Sequence, residues 1–185
     1  MKRFVAATGL ALCASQANAV VLDWSSSLDT AQAVATNGGS PIASGSGTAH
    51  GSFDTDTNVL TWVIDFSGLS AGVTVAHFHG PSAGPGTNAA VTVEVPTLPG
   101  TVPGVTAGSI IGSEDLDNLA GAATVAAWKE HFKAGLWYIN VHTTNFRGGE
   151  IRGQVSLPAP ASAALLGLGV AGLAVSRRTR NNPTA

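Results

Sequence analysis

The sequence predicts a mainly β protein, an antiparallel sandwich or barrel of short strands interrupted by one or two short helices. Several short segments rich in β-branched and aromatic residues alternate between apolar and polar positions, as half-buried strands do. The chain also has 23 glycines and 9 prolines among its 185 residues, many of them between these segments. Many short strands joined by Gly- and Pro-rich turns are typical of sandwiches and barrels.

The first predicted strands form a hairpin. Residues 59–66 (VLTWVIDF) have their large apolar side chains at the even positions, so one face of this strand is expected in the core. Residues 54–58 (DTDTN) are turn formers, and residues 47–53 are the expected partner strand. The next strand covers 73–78, after a turn at 67–72.

Residues 80–112 are predicted to be long loops around one short strand at 91–95, since they are rich in Gly, Pro and Thr. A helical segment is predicted to begin at Ser113, because the acidic residues 114, 115 and 117 suit the positive end of a helix. Gly121 is a predicted break, and Gly135 a predicted C-cap after Lys129 and Lys133. The expected core face consists of Leu116, Leu119, Val125, Trp128 and Phe132. Strands at 136–143 and 150–157, joined by the turn 144–149, complete the fold.

The N-terminus has the features of a secretory signal peptide. Lys2 and Arg3 precede an apolar stretch at 4–14, and small residues stand at the two positions that signal peptidase reads. Cleavage is therefore predicted between Ala19 and Val20. It would remove Cys13, the single cysteine, and would exclude disulfides, cysteine metal sites and thiol nucleophiles from the mature protein.

The C-terminus combines a Pro motif, an apolar stretch and a basic cluster. Pro158 and Pro160 precede the uncharged residues 161–175, and Arg177 and Arg178 follow. This tail resembles a PEP-CTERM sorting signal, which implies export and recognition by an exosortase. An ordinary membrane anchor is the alternative, although the apolar stretch is short of the roughly 20 residues that a spanning helix needs. The sorting signal and the membrane anchor both predict a hydrophobic C-terminal helix in the membrane. The signal peptide likewise predicts an N-terminal helix.

The chain therefore divides into a signal peptide (1–19), one domain (20–156) and a sorting or anchoring tail (157–185). The central domain carries four basic and 11 acidic residues, a formal charge of −7. An acidic domain lacks the basic face that DNA or RNA binding requires, so nucleic acid is not an expected partner.

The strongest local pattern is 76–81 (AHFHGP), in which His77 and His79 point to one face of a strand. His142 shares a face with Asn140 on another predicted strand. If these strands meet, three imidazoles could bind copper or zinc. Alternatively, each ring hydrogen-bonds to a loop backbone and has only a structural role. Three nitrogens can share one ion only if none lie much more than about 4 Å apart.

A second pattern covers 146–154 (FRGGEIRGQ). Glu150, Arg152 and Gln154 share one strand face, which we expect to be exposed and to hold a surface ion pair of about 0–1 kcal/mol. His50 and His131 are also expected on the surface. No nucleophile–base pair or known catalytic motif is visible, so the protein is not expected to be an enzyme.

The motifs AHFHGP, LWYINVHT and RGGEIRGQ, taken together over residues 47–155, resemble a CHRD domain, the module named after chordin. This resemblance implies a β-sandwich like those of immunoglobulins and copper–zinc superoxide dismutase. The pair His77 and His79 is similar to the dismutase copper ligands, with His142 as a further ligand. The missing cysteine and zinc loop argue against dismutase activity.

We therefore expect an exported, non-catalytic CHRD-domain binding or matrix protein. It would be held at the cell envelope or released outside the cell. Its expected ligand is an extracellular protein or polysaccharide, and no cofactor is required. The alternative is a copper- or zinc-binding protein of dismutase-like shape that uses His77, His79 and His142.

Overall fold

A computed structural model of the 185-residue chain describes residues 20–34, 44–95 and 104–158. Several features predicted from the sequence lie outside the described residues. They are the signal peptide up to Ala19 and the tail beyond Pro158, including Pro160, Arg177 and Arg178. The two predicted terminal helices therefore remain predictions.

The described chain forms one antiparallel sheet of eight strands in the order β5-β4-β7-β8-β1-β2-β3-β6. A single turn of 3-10 helix (Leu116–Asn118) and one α-helix, α1 (Ala122–Lys133), separate β6 from β7. The mainly β, antiparallel prediction is thus confirmed. The strands are β1 (Val21–Asp29), β2 (Ser46–Asp54), β3 (Val59–Ser67), β4 (Val73–His79), β5 (Val91–Val95), β6 (Gly108–Asp115), β7 (Tyr138–Thr143) and β8 (Ile151–Gln154).

The sheet curls until it is nearly closed. Phe78 of β4 and Trp62 of β3 have ring centroids 5.6 Å apart, although five strand spacings separate these strands along the sheet. A flat sheet would place them about 24 Å apart at the usual spacing between strands. The contact therefore requires the two halves of the sheet to face each other over a shared core.

Aromatic side chains fill this core. Phe78 also meets Trp24 and Trp137, at 5.6 and 6.3 Å between centroids. Phe132 of α1 meets Phe53 and Trp137 at 5.1 and 5.3 Å, so the helix closes one side of the core. Buried aromatic rings of this size supply much of the apolar area that stabilises a small domain.

Several predicted elements are confirmed closely. β5 has the bounds expected from the sequence, and β3 is one residue longer than expected. The even-numbered residues of β3 from Leu60 to Phe66 are all buried, as the alternation indicated. Two strands were not predicted: β1, whose outward positions include two serines, and β6, which contains two glycines.

The predicted helix start at Ser113 is wrong. Ser113 lies in β6 opposite Thr61 of β3, and Asp115 instead caps the 3-10 turn by accepting a hydrogen bond from the Asp117 amide. Leu119, assigned to the core face, is 44% exposed. The acidic run that suggested a helix end fits an exposed edge strand equally well, and pairing with β3 decides between them.

α1 begins after Gly121, as the predicted break required, and Gly135 follows the C-cap Ala134 with a φ of +68°. Within the described residues, no helix has the length and apolar character needed to cross a membrane.

Candidate metal centre

The three histidines singled out in the sequence meet on one face of the sheet. β4 and β7 are neighbours, with His77 opposite Asn140 and Val75 opposite His142. Because side chains alternate along a strand, His77, His79 and His142 lie on the same face. Phe78, between the first two, points to the aromatic core.

This face would be solvent-exposed in a bare sheet, but two connections cover it. Residues 80–90 fold back over β4 and β7, where the Ala89 amide donates to Tyr138 Oη at 3.1 Å. The turn 144–149 covers the end of β7. His79 and His142 are consequently only 7% and 8% exposed, so the cluster is a second, polar layer outside the apolar core.

Each histidine has one ring nitrogen against an oxygen acceptor. His79 Nδ1 is 3.0 Å from the Ala89 carbonyl, and His142 Nδ1 is 2.8 Å from the Arg147 carbonyl. His77 Nε2 is 2.8 Å from a carboxylate oxygen of Glu94, which stands opposite His77 on β5. These oxygens only accept hydrogen bonds, so these three nitrogens must carry protons.

The other three ring nitrogens have no oxygen partner among the described residues. His77 Nδ1 and His142 Nε2 lie 3.0 Å apart and can hydrogen-bond to each other when one of them carries a proton. His79 Nε2 is buried without any hydrogen-bond partner in the described part of the chain. A buried polar atom left without a partner costs about 1–3 kcal/mol, and it requires an explanation.

Burial favours the neutral form of His79 and His142. Desolvation lowers the pKa of His79 from 6.5 to about 4, although its bond to the Ala89 carbonyl opposes the shift. Desolvation also lowers the pKa of His142, and the nearby His77 adds to this effect. Neutral rings at pH 7 have a free nitrogen lone pair, which is the form that binds metals.

Each of the three histidines can offer one ring nitrogen to a metal ion. These three nitrogens all lie within 4.8 Å of one another. Metal–nitrogen bonds of 2.0–2.1 Å limit any two ligands of one ion to about 4.2 Å. A pair separated by the full 4.8 Å would have to close by at least about 0.6 Å before all three nitrogens bind one ion. His77 and His142 are already close enough.

A buried arginine supports His79 from behind. The His79 ring stacks on Tyr138 with centroids 4.7 Å apart and planes 2° from parallel. Arg152 Cζ lies 3.4 Å from the centre of the Tyr138 ring. The His79 ring and the Arg152 guanidinium are too large to share one face of Tyr138 at these distances, so they lie on its opposite faces.

The expectation that Glu150 and Arg152 lie on an exposed face is wrong. Glu150 is fully buried and Arg152 is 1% exposed. Arg152 Nη2 donates to the Thr87 and Gly84 carbonyls at 2.9 and 3.1 Å, which ties residues 80–90 to β8. Burial lowers the pKa of Arg152, opposed by Tyr138.

Glu150 accepts hydrogen bonds from the Ser70 amide and hydroxyl at 2.6 and 2.8 Å, and from the Thr143 hydroxyl at 2.7 Å. No ion pair joins Glu150 to Arg152 in the described residues. Alternation along β8 placed the two on one face correctly, but it could not reveal the connections that cover this face.

The remaining sequence candidates lie elsewhere. His50 is exposed on β2, as expected, whereas His131 on α1 is half-buried and its Nδ1 atom is buried. Asn140 lies beside the cluster and donates to the Gly148 carbonyl at 3.0 Å. Glu94 and Tyr138 were not predicted as site residues, since the pairing of β4 with both β5 and β7 was not visible in the sequence.

Fold and site together define a class of protein: an antiparallel β domain with a buried, polar histidine layer outside its apolar core. The match to known families is specific. The family model for the CHRD domain matches residues 24–155, which is most of the chain, and the protein belongs to the CHRD domain family. No curated protein and no solved structure matches the chain significantly. The likeness to immunoglobulin and dismutase sandwiches therefore stays a prediction.

Proposed function

We propose that this CHRD-domain protein binds one transition-metal ion, copper or zinc, through His77, His79 and His142. The observation that supports this most directly is the arrangement of the ring nitrogens. In each ring, one nitrogen is held by an oxygen acceptor and the other is left without one. Metal-binding histidines almost always donate their second N–H in this way, because the bond fixes the tautomer and the ring orientation.

Metal binding and a structural role as anchors of loop backbones are compatible for these histidines. His79 and His142 anchor residues 80–90 and the turn 144–149 through their Nδ1 atoms. The same bonds direct the Nε2 lone pairs away from those backbones. A purely structural role would not require His79 Nε2 to be buried without a partner, and a metal ion would satisfy this atom.

The donor set favours copper or zinc. Imidazole nitrogens suit Zn, Cu, Fe and Ni, whereas Ca²⁺ and Mg²⁺ prefer oxygen ligands. A mature chain without Cys13 has no thiolate to offer, and the three clustered candidate ligands are all imidazoles. Three histidines leave a coordination position open for a further ligand.

The sequence supports a location outside the cytoplasm for this site. We propose that the signal peptide directs export and that an exosortase reads the tail from Leu157 onward. The protein would then act at the envelope, with its C-terminal helix in the membrane, or outside the cell after processing. There it would serve as a binding or matrix protein without catalytic activity, and an extracellular protein or polysaccharide is the expected further partner.

The metal proposal is tested by loading the purified protein with Cu²⁺ or Zn²⁺ and removing the excess. The metal-to-protein ratio is then measured by mass spectrometry. We expect about one equivalent of one of these metals in the native protein, and a loss of most of it in His79→Ala and His142→Ala.

The matched control is His50→Ala, which removes an exposed histidine outside the cluster and should retain the native ratio. Circular dichroism establishes that each variant is folded. A native ratio far below one for both metals would contradict the proposal, as would equal loss of metal in the control.

A further inference from the structure

β6 forms a free edge of the sheet. It pairs with β3 through eight consecutive residue pairs, from Val59 opposite Asp115 to Phe66 opposite Gly108, without a shift in register. It is the last strand in the sheet order, and no other backbone group of the described residues hydrogen-bonds to its far side. Every second residue of an edge strand directs its N–H and C=O groups away from its one neighbour. β6 therefore presents a regular row of unpaired donors and acceptors.

The opposite edge of the sheet is protected against pairing with another chain, whereas β6 is not. β5 has only five residues, carries the exposed Glu94, and shifts its register against β4 between Phe78 and His79. Short length, a charge and an irregular register are the usual features that prevent an edge strand from pairing with another chain. β6 has eight residues, contains no lysine or proline, and is uncharged from Gly108 to Ser113. Of the two edges, β6 is the one open to a further strand.

An apolar side chain is exposed in the middle of β6. Ile111 is 62% exposed, which is the largest fraction among the large apolar side chains of the described residues. Ser109 and Ser113, two positions before and after it on the same face, are also exposed. These short side chains leave room for a neighbouring strand, and burial of Ile111 against that strand would be favourable.

The charges of β6 select the direction of a partner strand. Glu114 and Asp115 both stand at its C-terminal end, and like charges directly opposite each other destabilise a strand pair. A parallel second copy of β6 would place these carboxylates side by side. An antiparallel second copy would separate them, because the acidic ends would then lie at opposite ends of the contact.

We propose that the protein forms a homodimer in which β6 pairs antiparallel with β6 of a second copy, about a two-fold axis at Ile111. In this register Ile111 faces Ile111 of the second copy, Ser109 faces Ser113, and Glu114 faces Gly108. Each contact between different residues occurs twice, as in an isologous interface, and main-chain hydrogen bonds join the two sheets. The inference does not rest on the proposed metal, since the histidines lie on β4 and β7, which do not pair with β6.

Sedimentation velocity of the purified full-length protein over a range of concentrations tests the dimer. We expect a monomer–dimer equilibrium with a Kd in the micromolar range, because a contact one strand wide is smaller than the interfaces of tight complexes. Ile111→Glu and Ile111→Lys should each weaken dimerisation by about tenfold or more, since each replaces an apolar contact with two like charges. The exposed position should tolerate both changes, and circular dichroism establishes that each variant is folded.

A mixture of the two variants tests the register. A glutamate at position 111 of one copy would face a lysine at position 111 of the other, so the mixture should dimerise more tightly than either variant alone. The matched control is Val21→Lys, which replaces a 55% exposed valine at the start of β1. It should leave the Kd within about twofold of native, because β1 lies inside the sheet and away from its edges.

Three results would overturn the inference. The first is a native protein that stays monomeric at all concentrations, and the second is a dimer whose Kd is unchanged in Ile111→Glu and Ile111→Lys. The third is a mixture that dimerises no more tightly than the separate variants, since position 111 would then not face itself. Growth into assemblies larger than a dimer would contradict the closed two-fold pairing in the same way.

Discussion

The three histidines of the cluster differ in how far each is removed from water. His79 is stacked on Tyr138 and has one nitrogen wholly buried, whereas His77 reaches the exposed carboxylate of Glu94. A proton on His79 would therefore be poorly solvated. Acid should act on the folded protein through this residue before the apolar core is affected.

We predict that the metal-free protein loses stability as the pH falls from about 6.5 to about 4. The unfolded chain takes up a proton on this side chain near pH 6.5, whereas the pKa of His79 in the folded state is about 4. Between these values the unfolded state binds more protons, so the free energy of unfolding decreases with falling pH. The lowered pKa of His142 acts in the same direction.

Thermal unfolding across this pH range measures the effect. His79→Gln removes one titrating group while keeping an amide that can donate to the Ala89 carbonyl, so its stability should depend less steeply on pH. His50→Gln, at an exposed site, should follow the native curve. Parallel curves for native and His79→Gln would show that His79 does not carry this dependence.

Arg152→Met should lower the free energy of unfolding by about 2–4 kcal/mol, because it removes several hydrogen bonds in a buried place. The guanidinium donates to residues 80–90 and packs on Tyr138, which supports His79. We therefore also expect weaker metal binding.

Urea unfolding and the metal-to-protein ratio test both parts. Arg147→Met removes an exposed arginine from the same region and should change stability by no more than about 0.5 kcal/mol. Equal stability of the two variants would mean that the buried guanidinium contributes little.

Among the secondary-structure elements, α1 is less well stabilised at its N-terminal end than at its C-terminal end. Its N-cap is Gly121, no side chain caps it, and its first turn has no acidic residue, whereas His131 and Lys133 occupy its last turn. A Cβ at Gly121 would meet open space, and its φ of −69° suits any residue. The start of the helix can therefore accept a capping side chain without strain.

We predict that Gly121→Asp stabilises the protein by about 0.5–1 kcal/mol, since aspartate accepts a hydrogen bond from the first turn and complements the helix dipole. Urea unfolding is the measurement. Gly121→Ala is the control, because it adds a Cβ without a capping oxygen and should give no gain. A stability of Gly121→Asp equal to or below that of Gly121→Ala would refute the capping argument.

The strands also show which sequence signals are sufficient to predict an element. β3 was predicted well because its large apolar residues face one core, and this burial is encoded in their alternation. β5 was predicted from its three valines, of which Val93 and Val95 are buried and Val91 is exposed. β6 reads as a loop because its Gly and Ser residues have weak strand preference, and it becomes a strand by pairing with β3 along its whole length. Such pairing depends on a distant segment and leaves no local signal.

For the whole molecule, the proposed export predicts a shortened native protein. Intact-mass analysis of protein isolated from its native host should show loss of residues 1–19, with Val20 as the first residue and Cys13 absent. The same spectrum reports processing beyond Leu157. A full-length mass with Cys13 retained, in protein recovered from the cytoplasm, would contradict export.

The curled sheet explains why the aromatic core and the histidine layer lie back to back. Phe78 contributes to the core and its neighbours His77 and His79 to the outer layer, because side chains alternate along β4. Opposite β4, residues of β7 alternate in the same way. Any change that shifts the pairing of β4 with β7 by one residue would exchange the two layers.

Short-range alternation and local composition are enough to predict the antiparallel β class, the placement of His77 and His79 on one face, and the CHRD motifs. The folded chain is needed to show that His142 joins them, that residues 80–90 bury Arg152, and that Glu94 and Tyr138 contact the rings. These contacts join segments far apart in the chain. Their distances depend on the register and curvature of the sheet, which many weak, distant interactions set together.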